Sequence, residues 1–303
     1  MPEALDCLII GGGPAGLTAA IYLARFHLSV AVADEGNSRA RQIPCTHNLA
    51  GFPEGIAGAD LLDRMRDQAL KYGARFLDGH VDELVTGPLG FVCRGREVSG
   101  SARTVLLATG VTNRRPDIPE AVHDEALRTG RLRYCPVCDG YEVTYQNVCV
   151  IGRGARALTE AIFLRSFTDQ VTLILDPNAE LTGAEFTRIG AVGILMVRGQ
   201  PEDFALDGTG IHFSVGPRRM SFDTVYPALG SAIHSELAAA LGAVLTDEGC
   251  IKVDSHQRTN VPGLYAAGDV VVGLDQISHA MGEAAVAATT IRNDLATAKP
   301  MLR

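Results

Sequence analysis

The stretch Cys135-Pro136-Val137-Cys138-Asp139-Gly140 carries the residues best suited to chemistry. Two thiols at this spacing close a small disulfide ring and reopen it by exchange. The proline restricts the turn between them, and Asp139 sits close enough to pass a proton to or from a leaving thiolate. Half of a zinc site has the same spacing, but a zinc site needs a second Cys/His pair at ligand distance. Cys7, Cys45, Cys93, Cys149 and Cys250 stand singly, and no His-x3-His accompanies them. A redox dithiol is therefore expected, with no metal.

Two glycine-rich fingerprints flank this segment. Cys7-Leu8-Ile9-Ile10 reads as a buried strand, Gly11-Gly12-Gly13-Pro14-Ala15-Gly16 as a turn, Leu17 to Phe26 as a helix and Leu28 to Ala33 as a second strand ending at Asp34-Glu35. This is G-x-G-x-x-G in its informative setting. Gly11 allows the tight turn, Gly13 lets backbone approach a pyrophosphate, and Gly16 lets helix pack on strand. The helix N-terminus points free N–H groups at the phosphates, and Asp34 or Glu35 accepts from a ribose hydroxyl. The pattern returns after the dithiol. Val148 to Ile151 is a strand, Gly152-Arg153-Gly154-Ala155-Arg156-Ala157 a G-x-G-x-x-A turn, Leu158 to Phe167 a helix, and Val171 to Leu175 a strand closed by Asp176. A dithiol between two nucleotide sites suggests electrons passing from a carrier, through a flavin, to a disulfide.

The remaining chain supplies connections and a third cofactor segment. Residues 39–55 read as a polar loop, Leu61 to Lys71 as a helix, and Ala74 to Leu77 and His80 to Leu84 as strand-like pieces. Thr104 to Ala108 is a buried strand ending in Thr109-Gly110. Thr112 to Pro116 reads as a domain-crossing linker and Tyr226 to Gly230 as the return crossing, with short strands and turns from Pro177 to Asp223. Gly263 to Asp269 is a strand ending in Gly268-Asp269, and Asp275-Gln276-Ile277 opens a helix running to about Leu295. Its N-terminal dipole would face a flavin edge where negative charge gathers on reduction. His279 reads as approaching the flavin or the domain interface, and Cys45 as a buried structural cysteine.

Composition narrows the class. The chain has 303 residues, room for two domains. A net charge of −8 without a dense Lys/Arg cluster argues against nucleic acid. Apolar runs are strand-length, so no membrane span is expected. The acidic start Met1 to Asp6 lacks the basic region of a signal peptide, and seven cysteines without a disulfide framework suit the cytoplasm.

The order of these elements resembles low-molecular-weight thioredoxin reductases, over nearly the whole chain. Gly11 to Gly16, Ala108-Thr109-Gly110, Cys135 to Gly140, Gly152 to Ala157 and Gly263 to Asp269 carry the resemblance, the Cys-Pro-x-Cys-Asp-Gly segment most specifically. It implies an α/β fold of two Rossmann-like dinucleotide-binding domains of three-layer ββα type, the second inserted in the first. An FAD domain would span 1–116 and 244–303, and an NAD(P)-type domain carrying the dithiol would span 117–243. It implies FAD held by Gly11, Gly13, Pro14, Ala15, Gly16, Asp34, Glu35 and the loop residues Gln42 and Asn48. Val81, Ala108, Thr109, Gly110, Gly268, Asp269, Gln276 and Ile277 complete that set. Cys138 would lie against the flavin, Cys135 would attack the partner disulfide, and Asp139 would donate and accept the proton. A homodimer, a swivel between domains and a thioredoxin-like protein or small disulfide/dithiol substrate are further implications. The tail after Leu295 either covers the flavin or is disordered.

One departure matters. The family usually follows its second fingerprint with a His-Arg-Arg cluster gripping the 2′-phosphate of NADPH. Here the sequence is Leu175-Asp176-Pro177-Asn178-Ala179-Glu180. Asp176 would repel that phosphate and suits the free diol of NADH, held by Gly152, Gly154, Ala157 and Asp176. Arg153 and Arg156 could neutralise a pyrophosphate or fill its site. The donor stays open: NADPH is disfavoured, NADH is possible, and a second fingerprint that is only a fold element would leave ferredoxin, another donor or a reverse reaction in which a dithiol reduces oxygen. A non-catalytic flavin redox sensor is the rival from another class.

Overall fold

A computed structural model of the chain describes residues 4–298. All counts below concern these residues. The acidic start and the end of the tail, 1–3 and 299–303, lie outside them.

The first fingerprint builds a mixed seven-stranded sheet. The apolar strand Leu5–Ile10 pairs in parallel with Val30–Asp34 on one side and with Ser99–Leu107 on the other, and Arg75–Asp78 continues the sheet beyond Val30–Asp34. The long strand Ser99–Leu107 divides its pairing. Ser99 to Ala102 join an antiparallel ribbon with Gly90–Arg94 and Glu83–Gly87, and Val105 to Leu107 pair with Leu264–Ala266. Helices Pro14–Arg25 and Ile277–Ala298 pack together on one face, burying Ala19, Ala20, Ala284, Ala287 and Ala288. These small side chains let the two helices approach closely.

The second fingerprint builds a parallel sheet in the order Leu195–Arg198, Val171–Leu175, Val148–Gly152 and Thr224–Ala228. A three-stranded meander, Pro201–Asp207, Gly210–Val215 and Arg218–Phe222, covers one face and stacks Phe204, Phe213 and Phe222. The α/β class and the paired dinucleotide folds match the expectation. No described helix is long and apolar enough to cross a membrane.

Several boundaries differ. Helix Pro14–Arg25 begins at the proline, whose fixed φ suits a first helical turn. The fourth strand is Glu83–Gly87, so His80 and Val81 lie in the loop before it. Residues 177–223 contain helix Gly183–Ala191, announced by a Thr182/Glu185 capping box that the strand reading passed over. Helix Glu120–Arg128 was also not anticipated. Tyr226 is not in the return crossing: Thr224–Ala228 is a wholly buried strand, and the chain crosses back at Ser231–Ile233. That segment pairs antiparallel with the outgoing Val111–Asn113, so the two crossings form one ribbon. Ala238 and Ala243 then bury beside Leu8, Val105 and Ile251. Residues 231–243 therefore pack with the first sheet, whereas the sequence placed them with the second.

Candidate redox site

Cys135 and Cys138 form a disulfide, with Cα atoms 5.3 Å apart. Local sequence explains the geometry. Pro136 starts the short helix Pro136–Asp139, and Cys135 caps it, its Sγ accepting from the Cys138 N–H at 3.1 Å. Asp139 closes that helix with both carboxylate oxygens occupied. Arg133 Nη1 donates to Oδ2 at 3.0 Å, and the buried Tyr226 hydroxyl donates to Oδ1 at 2.8 Å. Burial pushes the Asp139 carboxyl above its ordinary value, against the opposing pull of Arg133 and Tyr226. Asp139 thus keeps its proton to a higher pH than a surface aspartate. Replacing Tyr226 by Phe removes one of the two donors that favour the charged form, worth about 1.5–3 kcal/mol for a hydrogen bond to a charged group. We expect Tyr226→Phe to move the Asp139 limb of the pH–rate profile further upward. Single-turnover rates between pH 5 and 9 check this, and an unmoved limb would separate Tyr226 from Asp139 function.

The disulfide faces a cavity of about 890 Å³ that runs from the first glycine turn to the CxxC. This cavity brings together nearly every residue expected to touch FAD. Gly11, Gly13, Pro14 and Ala15 line one end, Ala108, Thr109 and Gly110 the wall, and Gly268, Asp269, Gln276 and Ile277 the other side. Asp34, Glu35, Gln42, Asn48 and Val81 border it too. Gly16 does not; it is buried against the Gly11 carbonyl, in its packing role. Gly11 has φ +107°, and a Cβ there would overlap the Ala108 carbonyl. Helix Pro14–Arg25 has no side-chain cap, so its first N–H groups are available to an anion. A glycine cradle, an uncapped helix end and a long cavity ending at the disulfide fit an FAD.

The structure separates the two acids after the second strand. Asp34 Oδ1 accepts from the Gly12 N–H at 3.0 Å and so braces the glycine turn. Glu35 instead pairs with His80 at the cavity rim, and both acids line the cavity. Asp269 is held by Arg39 Nη1 at 3.0 Å, and the same guanidinium reaches Asp275 at 3.2 Å. Burial, then the Asp275 charge, push the Asp269 carboxyl upward against Arg39. His279 stays off the cavity wall and pairs with Glu283 at 3.0 Å; Glu283 in turn accepts from the Gly268 N–H at 2.8 Å, pinning that turn. Cys45 is exposed and lines the cavity, contrary to the buried cysteine expected.

The second fingerprint stands outside this cavity. Gly152, Gly154 and Ala157 form the expected strand–turn–helix with Val148–Gly152 and Gly154–Leu164. At the end of Val171–Leu175, Asp176 Oδ2 accepts from Arg153 Nη2 at 2.8 Å, and Oδ1 accepts from the Asn178 N–H at 2.9 Å. The Asn178 bond, with help from Arg153, holds the carboxyl below its ordinary value. Arg198 also reaches this loop, donating to the Ala179 carbonyl at 2.8 Å. Both guanidiniums are thus engaged within the protein.

Arg39, Arg133, Tyr226 and Arg198 were given no site role from sequence. Arg133 lies two residues before Cys135, and that proximity was a usable signal. The other three reach their partners only through the fold.

The sequence profile described as pyridine nucleotide-disulphide oxidoreductase matches residues 5–284. Thioredoxin reductase of Mycolicibacterium smegmatis is 35% identical over 284 residues, covering 88% of each chain. The crystal structure of thioredoxin reductase from Streptococcus pyogenes MGAS5005 superposes with a TM-score of 0.90 at 27% identity, covering 98% of this chain and 100% of that one. Lactococcus lactis thioredoxin reductase in its FR conformation gives 0.63 at 26% identity, covering 97% and 99%. Nearly equal coverage with a lower score points to the same elements differently arranged. The chain therefore belongs to the pyridine nucleotide-disulphide oxidoreductase family, as a thioredoxin reductase-like flavoenzyme that uses FAD and a Cys135–Cys138 disulfide.

Proposed function

We propose that the chain passes electrons through FAD and the Cys135–Cys138 pair to a thioredoxin-like protein, and that NADPH is not its donor. The opening of the FAD-sized cavity onto the disulfide carries the first part. Bound FAD supplies a two-electron carrier in that cavity. The chain's own residues do the rest. The helix from Ile277 to Ala298 starts at the cavity wall and points its positive end there. Asp139, next to Cys138 in the chain and with its carboxyl pushed upward by burial, is the group proposed to pass a proton to and from the sulfurs. Cys138 is proposed to face the flavin and Cys135 to attack the partner disulfide. The ribbon of Val111–Asn113 and Ser231–Ile233 joins the two units. We take them as domains dividing near Pro116 and Gly230, able to swivel so that the dithiol meets its protein partner. A homodimer belongs to the same reading, and light scattering after size exclusion tests it.

The donor reading rests on Asp176. Its carboxylate, already paired with Arg153, would stand where the 2′-phosphate of NADPH must lie. NADH would have to displace Arg153 to reach it, which supports a second reading: a donor other than a pyridine nucleotide. Anaerobic titration of the flavin absorbance with NADPH, NADH and dithiothreitol decides. We expect NADPH to leave the flavin oxidised while dithiothreitol bleaches it. Rapid bleaching by NADPH would refute the donor assignment. Bleaching by NADH makes Asp176 a ribose acceptor; bleaching by dithiothreitol alone turns the search to ferredoxin or to a dithiol oxidase. Re-oxidation by oxidised thioredoxin tests the acceptor, and peroxide formation with a small dithiol would instead favour the oxidase.

A further inference from the structure

Gln276 was expected to touch FAD, yet its side-chain amide lies on the disulfide. Nε2 is 3.1 Å from Cys138 Sγ and 3.3 Å from Cys135 Sγ. A chain of hydrogen bonds supports this orientation. Asn48 Nδ2 donates to Gln276 Oε1 at 2.8 Å, and Thr46 Oγ1 donates to Asn48 Oδ1 at 3.0 Å. With its oxygen occupied, the Gln276 amide must present its NH2 group to the sulfurs. The two sulfurs are not equivalent. Cys135 Sγ also receives the Cys138 N–H at 3.1 Å, whereas Cys138 Sγ has no other donor among the described residues.

We propose that Gln276 is the residue that stabilises the Cys138 thiolate, and that it does so only while the dithiol faces the flavin cavity. The proposal rests on reading Cys135–Cys138 as the working redox pair. Reduction breaks the S–S bond; the pair gains two electrons, from reduced flavin, and one proton, giving one thiol and one thiolate. A disulfide sulfur is a weak acceptor, whereas a thiolate accepts a charge-assisted hydrogen bond. The Gln276 contact therefore strengthens when the bond breaks, favours the dithiol form and directs negative charge to Cys138. Gln276 sits at the start of the last helix, on the first unit, and the cysteines sit on the second. Turning the second unit away strips Gln276 from both sulfurs, but Cys135 keeps its backbone donor. The thiolate then passes to Cys135, the thiol proposed to attack a protein disulfide.

The test uses the full-length flavin-loaded protein and needs neither electron donor nor thioredoxin. The protein is equilibrated in glutathione redox buffers, and separately reduced with dithiothreitol and alkylated with iodoacetamide between pH 5 and 9, each cysteine being followed by mass spectrometry. We expect Gln276→Leu to shift the dithiol/disulfide equilibrium about tenfold toward the disulfide, or ~30 mV for a two-electron couple. The alkylation midpoint of Cys138 should move to higher pH while that of Cys135 stays. Asn48→Ala, which frees the amide to turn over, should act in the same direction but more weakly. It carries the test alone should the first variant lose flavin absorbance. An unchanged equilibrium, or equal shifts at both cysteines, would overturn the role of Gln276. A pair that dithiothreitol cannot reduce at all would sink the redox-pair reading instead.

Discussion

Cys138→Ser leaves a protein that binds flavin and cannot exchange electrons between that flavin and a dithiol. Dithiothreitol reduces such a flavin by attacking the disulfide, and the resulting pair then passes electrons inward. Without Cys138 no internal disulfide forms, and a serine hydroxyl is neither reducible nor comparably nucleophilic. Removing one member of a two-sulfur unit removes the unit, so bleaching by dithiothreitol should fall at least ~10³-fold, the scale seen when one member of a catalytic group is deleted. Dithionite, which reduces flavin without the sulfurs, should still bleach it fully. Cys135→Ser should block the same step, because the pair faces the cavity as one disulfide. Stopped-flow absorbance with the two reductants separates the outcomes. If both serine variants bleach at the wild-type rate with dithiothreitol, the pair is not on the electron path, and the flavin sensor reading gains.

Asp139→Asn should slow the same step by about 10²–10³-fold, within the range for loss of a positioned acid–base group. The substitution is close in shape and can still accept from Tyr226, so lost packing does not explain a large effect. What it removes is the proton. The fold raises the Asp139 carboxyl by burial, so wild-type protein should lose the protonated acid as pH rises through that raised value, and the variant should show no such limb. Stability gives an independent readout with a defined sign. A group whose folded pKa lies above its unfolded value stabilises fully below the unfolded pKa, and that contribution is lost as pH rises through the folded one. The variant does not titrate there. Its stability relative to wild type should therefore rise with pH across the window, measured as the difference in denaturant midpoints. A pH-independent difference would mean that Arg133 and Tyr226 cancel the burial effect in full.

The first glycine turn, the CxxC helix and the Gly268-Asp269 corner were legible because each is built by neighbours in the chain. Gly11 is needed by a positive φ, Pro136 starts a helical turn, and Cys135 caps it. Such local demands leave their mark in consecutive residues. Helix Gly183–Ala191 was legible too, through its capping box, but it is short and buries only Ile189.

The dithiol, the two glycine turns and the approximate course of both nucleotide folds were thus determined by sequence alone, since backbone conformation and hydrophobic period are local properties. Tertiary structure decided which side chains meet. Tyr226 reaches Asp139 across 87 positions, Gln276 reaches Cys138 across 138, and Arg39 reaches Asp269 across 230. Asp34 turned to the glycine loop and left Glu35 at the rim, a choice between adjacent acids set by which one points inward from its strand. Arg153 closed on Asp176 because strand packing places the glycine turn beside the end of the neighbouring strand. In each case packing of buried elements brings distant polar groups together. No spacing in the sequence encodes that distance.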